Sequence, residues 1–536
     1  MVAFSEHSVD CFFSFPYDFN EGLAVTLGDL VNPTNNEIDG SHWIPVSLHE
    51  CIQLDYGHKK IFEEKTSSLS PDLYWPVQDL LAGRKPDRCK VYGLSKDAAN
   101  LFRVKEKCFL KRLDGAEKTP FSLVMRTQTK SVLKRVNEIT DIHDDFFVND
   151  SLNDRKVFVY PINLSDIIVY SFSTQNIVVK VRLNLRLSGQ VEIDSDLLTE
   201  FVSEAGRLGS LSWVAGLPNI SPTEREKLTN LQDQVLQTEI SEPLEQVVYS
   251  LITGKRRKCK TTKRSYTYCY ARVADNQADI PQKEMMKFAT LTSRQFTSDY
   301  EINHQLDAEA NVSYFTNLVH FLKREGGVTA VNPHTNGKAV EFLATFSSGP
   351  LEKSYLPLVV LNIHQLACSL DLLEKANKEV CEIIRGEDQT EFKSLIDAYA
   401  KIKDELTLLK GLFRFKQVSQ ISMHNDFNLA IRDSFKLDDI ENQLDEMLDD
   451  VTSRSERALN NHELAQQRLF SQKYNWISIL ATAAIAGVLF MEYVNTGVNL
   501  LSDGASLTDG IIIIICVVVV LCGYLWGSRK LKAGSE

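Results

Sequence analysis

Cysteine is scarce, ten in 536 residues, with no CxxC pair and no dense spacing. This excludes a disulfide-stapled scaffold and leaves reduced thiols in a cytosolic or membrane setting. Basic charge is in deficit, 59 Lys and Arg against 71 Asp and Glu for a formal charge of −12. A general nucleic-acid coat needs the opposite balance, so no stable nucleic-acid complex is expected. The usual chemical signatures are missing. There is no HExxH, no four-ligand metal spacing around His49, Cys51 and His58, no GxSxG and no dinucleotide fingerprint. Gly254-Lys255 is not a Walker motif, because no Gly stands five residues earlier. No catalytic residues emerge, and an enzyme is not expected. Met1–Asp10 has no basic n-region, and Cys11–Tyr17 is too short and polar for the core of a signal peptide. No internal repeat is visible.

With 43% hydrophobic and 24% charged residues, the chain can build real cores, and its length suggests two to four units. The apolar mass lies near the C-terminus. Trp476–Val494 carries one charge, Glu492, and as a helix reaches roughly 28 Å, enough to cross a bilayer core. Ile511–Trp526 carries none. Its β-branched residues favour strands in water, but a lone strand in lipid leaves its backbone unpaired, so a second spanning helix is expected. Arg468 and Lys473 precede the first span, and Arg529, Lys530 and Lys532 follow the second. The loop between them has Asp503 and Asp509 and no Lys or Arg. The positive-inside rule then puts both termini in the cytoplasm, in a multi-pass protein of the inner membrane.

The expected architecture is an α+β cytoplasmic domain, 1–350, with a candidate internal boundary in the Asp- and Asn-rich Asp141–Asp154. A helical stalk over 351–473, spans at 474–496 and 511–527, an outer loop over 497–510 and a basic tail over 528–536 follow. In the first domain Ile177–Leu187 reads as a strand with Val179, Val181, Leu183 and Leu185 on a core face and Lys180, Arg182 and Arg186 on a basic face. Val157–Tyr160 and Asp166–Phe172 read as its neighbours. Tyr314–Lys323 reads as a short amphipathic helix stopped by Gly326-Gly327. Val328–Val331 and Ala339–Phe346 read as a hairpin. Helices are expected from Tyr355, with a break at Gly386, over Phe392–Phe415, and from about Asp426. In the last, Leu437, Ile440, Leu444, Met447 and Val451 form a heptad seam. That helix should run about 50–60 residues, roughly 80–90 Å, into the first span. Its seam calls for partner copies.

A long helix entering the first of two spans, Gly497-Val498-Asn499 at its outer end, a short loop, an apolar second span and Ser528-Arg-Lys-Leu-Lys532 come in a distinctive order. Over roughly residues 390–532 this resembles the CorA family, the two-span GxN group of divalent-cation transporters. Val498 stands where that family has Met, and the loop lacks the family's acidic, Pro-containing sequence. The resemblance implies a homo-oligomer, a pentamer, set in a lipid bilayer, with Asn499 in a ring of amide oxygens around a hydrated cation such as Mg²⁺.

Asn475, Thr482 and Thr496 repeat at heptad spacing with Ser478 beside them, a polar stripe that turns to a pore or to a neighbouring helix. The same stripe continues down through Arg454, Asn461 and Arg468. Rings of Arg would repel divalent cations, unless these side chains pair with Asp449, Asp450 or Glu456. Asp438, Asp445 and Asp449, in an acidic run, are candidate regulatory metal ligands or a solvated helix face. Lys255, Arg256, Arg257 and Lys258 lead into Tyr266, Tyr268 and Tyr270 on one strand face, and Arg182 could join them. Cations beside aromatic rings suit a nucleotide, such as a second messenger, or the patch could be a solvated loop or face an anionic leaflet. The resemblance to the CorA family implies an ion channel gated by its cytoplasmic domain or, as an alternative among CorA-like proteins, a nucleotide-gated membrane effector of an antiviral, type III CRISPR-type defence system; the hairpin alone leaves a non-conducting membrane-anchored scaffold or sensor as a further alternative.

Overall fold

The computed structural model describes residues 2–20, 23, 62–96, 121–127, 147–150, 155–185, 192–206, 211–215, 249, 252, 265–277, 280–297, 300, 311–335, 338–385 and 389–501. The chain divides into two compact units. One comprises Met1–Gly386 and Asp397–Met447, the other Glu387–Ile396 and Leu448–Glu536. The first unit therefore does not stop near residue 350. Its helices continue the fold of the sheet instead of leaving it as a separate stalk.

The centre of the first unit is a twelve-stranded sheet. Its main path runs β11 (Leu318–Leu322), β12 (Gly326–Val331), β10 (Tyr266–Val273), β1 (Ala3–Pro16), β7 (Asn176–Leu185), β6 (Arg155–Phe172), β3 (Cys89–Leu94) and β2 (Phe62–Glu64). All neighbours on that path are antiparallel except β10 and β12. β4 (Phe121–Thr127) and β5 (Phe147–Asp150) pair with β6. The neighbours expected for β7 are thus one long strand, β6. The proposed boundary at Asp141–Asp154 instead contains β5, which pairs with β6 at Asp150↔Arg155.

Alternation along each strand sorts the side chains to two faces. One face carries Val9, Cys11 and Phe13 of β1, Val179 and Val181 of β7, and Cys269 and Ala271 of β10. These pack with Leu198, Phe201 and Val202 of α2 (Ser195–Gly206) and with Met285 and Phe288 of α3 (Gln282–Ser293). The opposite face carries Asp10, Lys180, Arg182, Tyr266, Tyr268 and Tyr270. It is covered by a π-helix (Ser347–Tyr355), by α5 (Leu356–Arg385) and by α7 (Ser422–Phe435). The basic face read from β7 is therefore an interior face. Lys180 is 2% exposed.

Tyr314–Lys323 is not a helix. Leu318–Leu322 is strand β11, with all five residues buried, joined to β12 through a tight turn in which the Lys323 N–H donates to the Gly326 carbonyl. A short apolar run fits both periods, and pairing with β12 decides. The two glycines serve close packing: a Cβ on Gly326 would lie 2.5 Å from the Thr267 carbonyl, and one on Gly327 2.6 Å from the Tyr268 ring. The expected hairpin shrinks to β13 (His334–Thr335) and β14 (Lys338–Ala339), and α4 (Glu341–Ala344) replaces its second strand.

The C-terminal helices are α5, α6 (Gln389–Phe413), α7 and α8 (Leu437–Leu501), after the short α1 (Trp75–Leu81) early in the chain. The single helix expected from Asp426 is two, because Lys436 caps α7 in the left-handed conformation at φ 56° and φ 56°, ψ 40° cannot continue the helix. Leu437 and Leu444 of the heptad seam are buried within the chain, and Ile440, Met447 and Val451 are half-buried, so Leu437 and Leu444 do not call for a second copy.

A left-handed Lys is strained by about 1 kcal/mol. Lys436→Gly should leave the unfolding midpoint of the full chain unchanged or raised, and Lys436→Val should lower stability by about 1–2 kcal/mol, read by denaturant titration. Equal destabilisation by both would contradict this cap geometry.

Candidate functional site

The ligand site expected at Arg182, Tyr266 and Tyr268 forms differently from the sequence reading. Strand register places Asp10 beside both Arg182 and Tyr268. Arg182 donates Nε to Asp10 Oδ1 at 2.9 Å and Nη2 to Oδ2 at 2.7 Å, a two-pronged pair. Glu352 of the π-helix bridges the two cations: Oε2 accepts from Lys180 Nζ at 3.1 Å, and Oε1 meets Arg182 Nη1. Burial works against the Arg182 charge, but Asp10 and Glu352 outweigh it and hold the guanidinium firmly protonated. This is a cluster of two cations and two carboxylates inside the protein, with Asp166 on β6 opposite Arg182.

The tyrosines are not a stacking platform. Tyr268 is fully buried, and the Tyr266 ring packs edge-on against Phe435 at 5.2 Å between centroids. Neither ring can receive a base from solution in this packing. Burial raises the pKa of both hydroxyls. The run Lys255–Lys258 lies outside the described residues.

Tyr268 instead opens a polar relay that the sequence did not suggest. Its hydroxyl lies 2.6 Å from Thr329 Oγ1, which lies 2.9 Å from His320 Nδ1. His320 Nε2 is buried with no hydrogen-bond partner, and Phe427 stands edge-on to the imidazole at 5.5 Å. The arrangement that leaves least unsatisfied has Tyr268 donating to Thr329, Thr329 donating to Nδ1, and the Nε2 proton facing aromatic rings. Burial, with His424 nearby, lowers the His320 pKa to about 3. A second imidazole, His364, stacks on Phe172 at 3.7 Å and meets Thr174 Oγ1 at 3.2 Å, and burial lowers its pKa to about 3 as well. Cys368 lies 3.7 Å from its ring, but burial raises this thiol's pKa to about 12, so it is no activated nucleophile.

The acidic run at the start of α8 is tied to cations. Asp438 accepts from Arg432 Nη2 at 2.6 Å and Arg414 Nη2 at 3.0 Å. Glu441, 1% exposed, lies 2.8 Å from Arg414 Nη1, and Asp445 pairs with Lys410. Arg432 also donates Nη1 to Gln365 of α5, whose amide donates to the Phe413 carbonyl of α6. Burial raises the Glu441 pKa against the pull of Arg414 and Arg432. At Asp438 burial is outweighed by Arg432 and Arg414, and the pKa falls. Asp438 and Asp445 thus belong to a charge knot joining α6, α7 and α8, to which Gln365 of α5 is attached through Arg432. Asp449 is exposed on α8. Among the described residues no three His, Cys, Asp or Glu side chains converge as a metal site.

The polar stripe lies on α8. Asn475, Ser478 and Thr482 are exposed, and the Thr482 hydroxyl donates to the Ser478 carbonyl at 2.8 Å. The backbone stays helical through Thr496, Gly497, Val498 and Asn499 to Leu501, so Gly497 does not end the helix; the side chains of these four lie outside the described residues. Phe470, Trp476, Ile477, Leu480, Val488 and Met491 are exposed on the same helix. Ile511–Trp526 lies outside the described residues. By length and composition one helical stretch among the described residues, Ser347–Lys378, could cross a membrane, but 72% of its apolar window is buried. It packs on β1 and β7, which is the place of a core helix. No protein-family model matches the chain, and no curated protein or solved structure is significantly similar to it.

Two predictions follow from the buried groups. His320 and His364 are held neutral when folded, so their contribution is fully present above the unfolded value of about 6.5 and is lost as pH falls toward 3. The urea midpoint of the first unit's transition should fall steadily between about pH 7 and about pH 4, and a flat profile would count against burial of both rings. Arg432→Met should destabilise by about 1–3 kcal/mol, since it removes the buried cation that Asp438 and Gln365 bind while Arg414 still pairs with Glu441. An effect below about 1 kcal/mol would reduce the knot to surface pairing.

Proposed function

We propose that the chain is an oligomeric, membrane-anchored ion channel of the CorA-like type, with α8 lining the ion path and the first unit acting as its gate. The observation that carries this reading is the exposure along α8. A helix that shows Phe470, Trp476, Ile477, Leu480, Val488 and Met491 to its surroundings has no stable place in water unless lipid or other protein covers it. The polar side chains Asn475, Ser478 and Thr482 recur among them, and in lipid such groups turn toward a neighbour or a water-filled path. Trp476–Val494 has the length of a span, and Ile511–Trp526 would return the chain, leaving both termini on the cytoplasmic side. The Arg432–Glu441 knot, at the root of α8, is where a change in the first unit would reach the helix. A pentamer and a divalent cation such as Mg²⁺ are what the resemblance implies.

Exposed Arg468 on α8 favours a second reading, an anion path, because a cationic ring repels Mg²⁺. Proteoliposomes loaded with a Mg²⁺ or a chloride indicator separate the two. Asn499→Ala should lower flux at least about tenfold while cross-linking still reports the oligomer. Unchanged flux with every ion, from an intact oligomer, would leave α8 as an anchor only. A cysteine at Ser502 should react with an impermeant reagent from outside intact cells, and protection there together with outside reactivity at Ser535 would reverse the topology.

A further inference from the structure

We propose that Lys180 and Arg182 form a binding site for a small oxyanion, a phosphate group in the first instance, which Glu352 occupies in the structure as an internal substitute. The inference concerns the first unit alone and does not rest on the channel reading.

Three observations carry it. First, Glu352 is bound as a free oxyanion would be. Its two oxygens go to two different cations, the Lys180 ammonium at 3.1 Å and the Arg182 Nη1, while Arg182 keeps a separate two-pronged pair with Asp10. A point charge beside a planar fork is the donor set that phosphate takes. Secondly, the quartet is accessible from one side. The side chains of Asp10 and Lys180 are 1% and 3% exposed, whereas that of Glu352 is 27% exposed. An anion from solution would arrive at the Glu352 side.

Thirdly, Glu352 stands on a segment with an alternative geometry. Ser347–Tyr355 is a π-helix with Pro350 inside it, running directly into α5. π-Helices are rare, and where they occur they often mark functional positions. A π-helix is wound more loosely than an α-helix, so rewinding this segment to i→i+4 hydrogen bonding would turn its residues about the helix axis relative to α5. Such a turn would shift Glu352 relative to both cations. Other tethers hold the segment as it is: the Ser347 hydroxyl donates to Glu6 at 2.7 Å, and the Ser70 N–H donates to the Lys353 carbonyl at 3.0 Å.

The exchange is coupled by electrostatics. Lys180 is buried, and Glu352 is its ion-pair partner among the described residues. Withdrawing the carboxylate alone would strand a buried ammonium, a state several kcal/mol uphill. The segment can therefore move only as another anion enters. Asp166 lies beside Arg182 on β6, which limits the charge the site accepts and favours a small ligand over a polyanion.

The full chain in detergent, titrated with inorganic phosphate against chloride at matched ionic strength, tests this. Wild-type protein should show a saturable rise in unfolding temperature and a change in amide exchange centred on 347–355. Glu352→Gln removes the internal competitor but keeps its shape, and should tighten phosphate binding by about tenfold or more. Lys180→Met should abolish the response in either background. No saturable response in the wild type, a response that survives Lys180→Met, or equal affinity in wild type and Glu352→Gln each overturns the proposal. If Glu352→Gln does not fold, the wild-type exchange data decide alone, and phosphate that leaves 347–355 unchanged refutes the site.

Discussion

Charge on an inward sheet face is the constraint from which the first unit's construction follows. β1 and β7 bring Asp10, Lys180 and Arg182 to a face that is closed from water, where an unpaired ion is several kcal/mol unfavourable. Asp10 and Arg182 satisfy each other across the strand pair. Lys180 has no such neighbour in the sheet, and its partner must come from the covering layer. The π-helix supplies Glu352, and the segment that follows, α5, lies over β1 and β7. The same face carries tyrosine hydroxyls and His320, which are satisfied in part through Thr329. A layer so dependent on paired polar groups specifies one arrangement more sharply than an apolar layer of equal area, because every misalignment leaves an orphan.

The other sheet face is ordinary by comparison. Val179, Val181, Phe201 and Phe288 supply its apolar core, and the covering helices add buried hydroxyl contacts such as Thr199 Oγ1 to Thr292 Oγ1 at 3.0 Å. The unit is thus asymmetric: apolar burial dominates one side, and the other holds the ion pairs. The buried quartet, the His320 relay and the Arg414–Arg432–Glu441 knot all lie on or beyond the second side. The α8 helix starts there, immediately after the left-handed Lys436, and remains helical to Leu501. Its early residues are held by ion pairs, whereas its later ones expose apolar side chains.

Several features were legible in the sequence because they depend on local period alone. Val179, Val181 and Leu183 alternate and form β7; Leu437 and Leu444 keep heptad spacing on a helix. The apolar character of Trp476–Val494 needed no structure to be seen. The split at Lys436 was not legible, since neither Pro nor Gly marks it and the left-handed turn is imposed by packing on both sides. Leu318–Leu322 was misread because five residues fit either period, and its partner β12 decides.

Which residues alternate, where charge concentrates and which stretches are apolar could be read along the chain alone. Which of those faces meets solvent depends on tertiary contacts. Lys180 and Arg182 read as a basic surface, and Tyr266 and Tyr268 as a platform beside it, because alternation reports that two faces differ and not that either is exposed. Their burial rests on Glu352, 172 residues from Lys180, and on Phe427 and Phe435 of α7. In the acidic run Asp438 does stay exposed, but Glu441 is buried, since Arg414 and Arg432 reach it only once α6 and α7 have folded back. A charge pattern carries its sign in the sequence; its partner, and therefore its role, comes from contacts between residues that are remote along the chain.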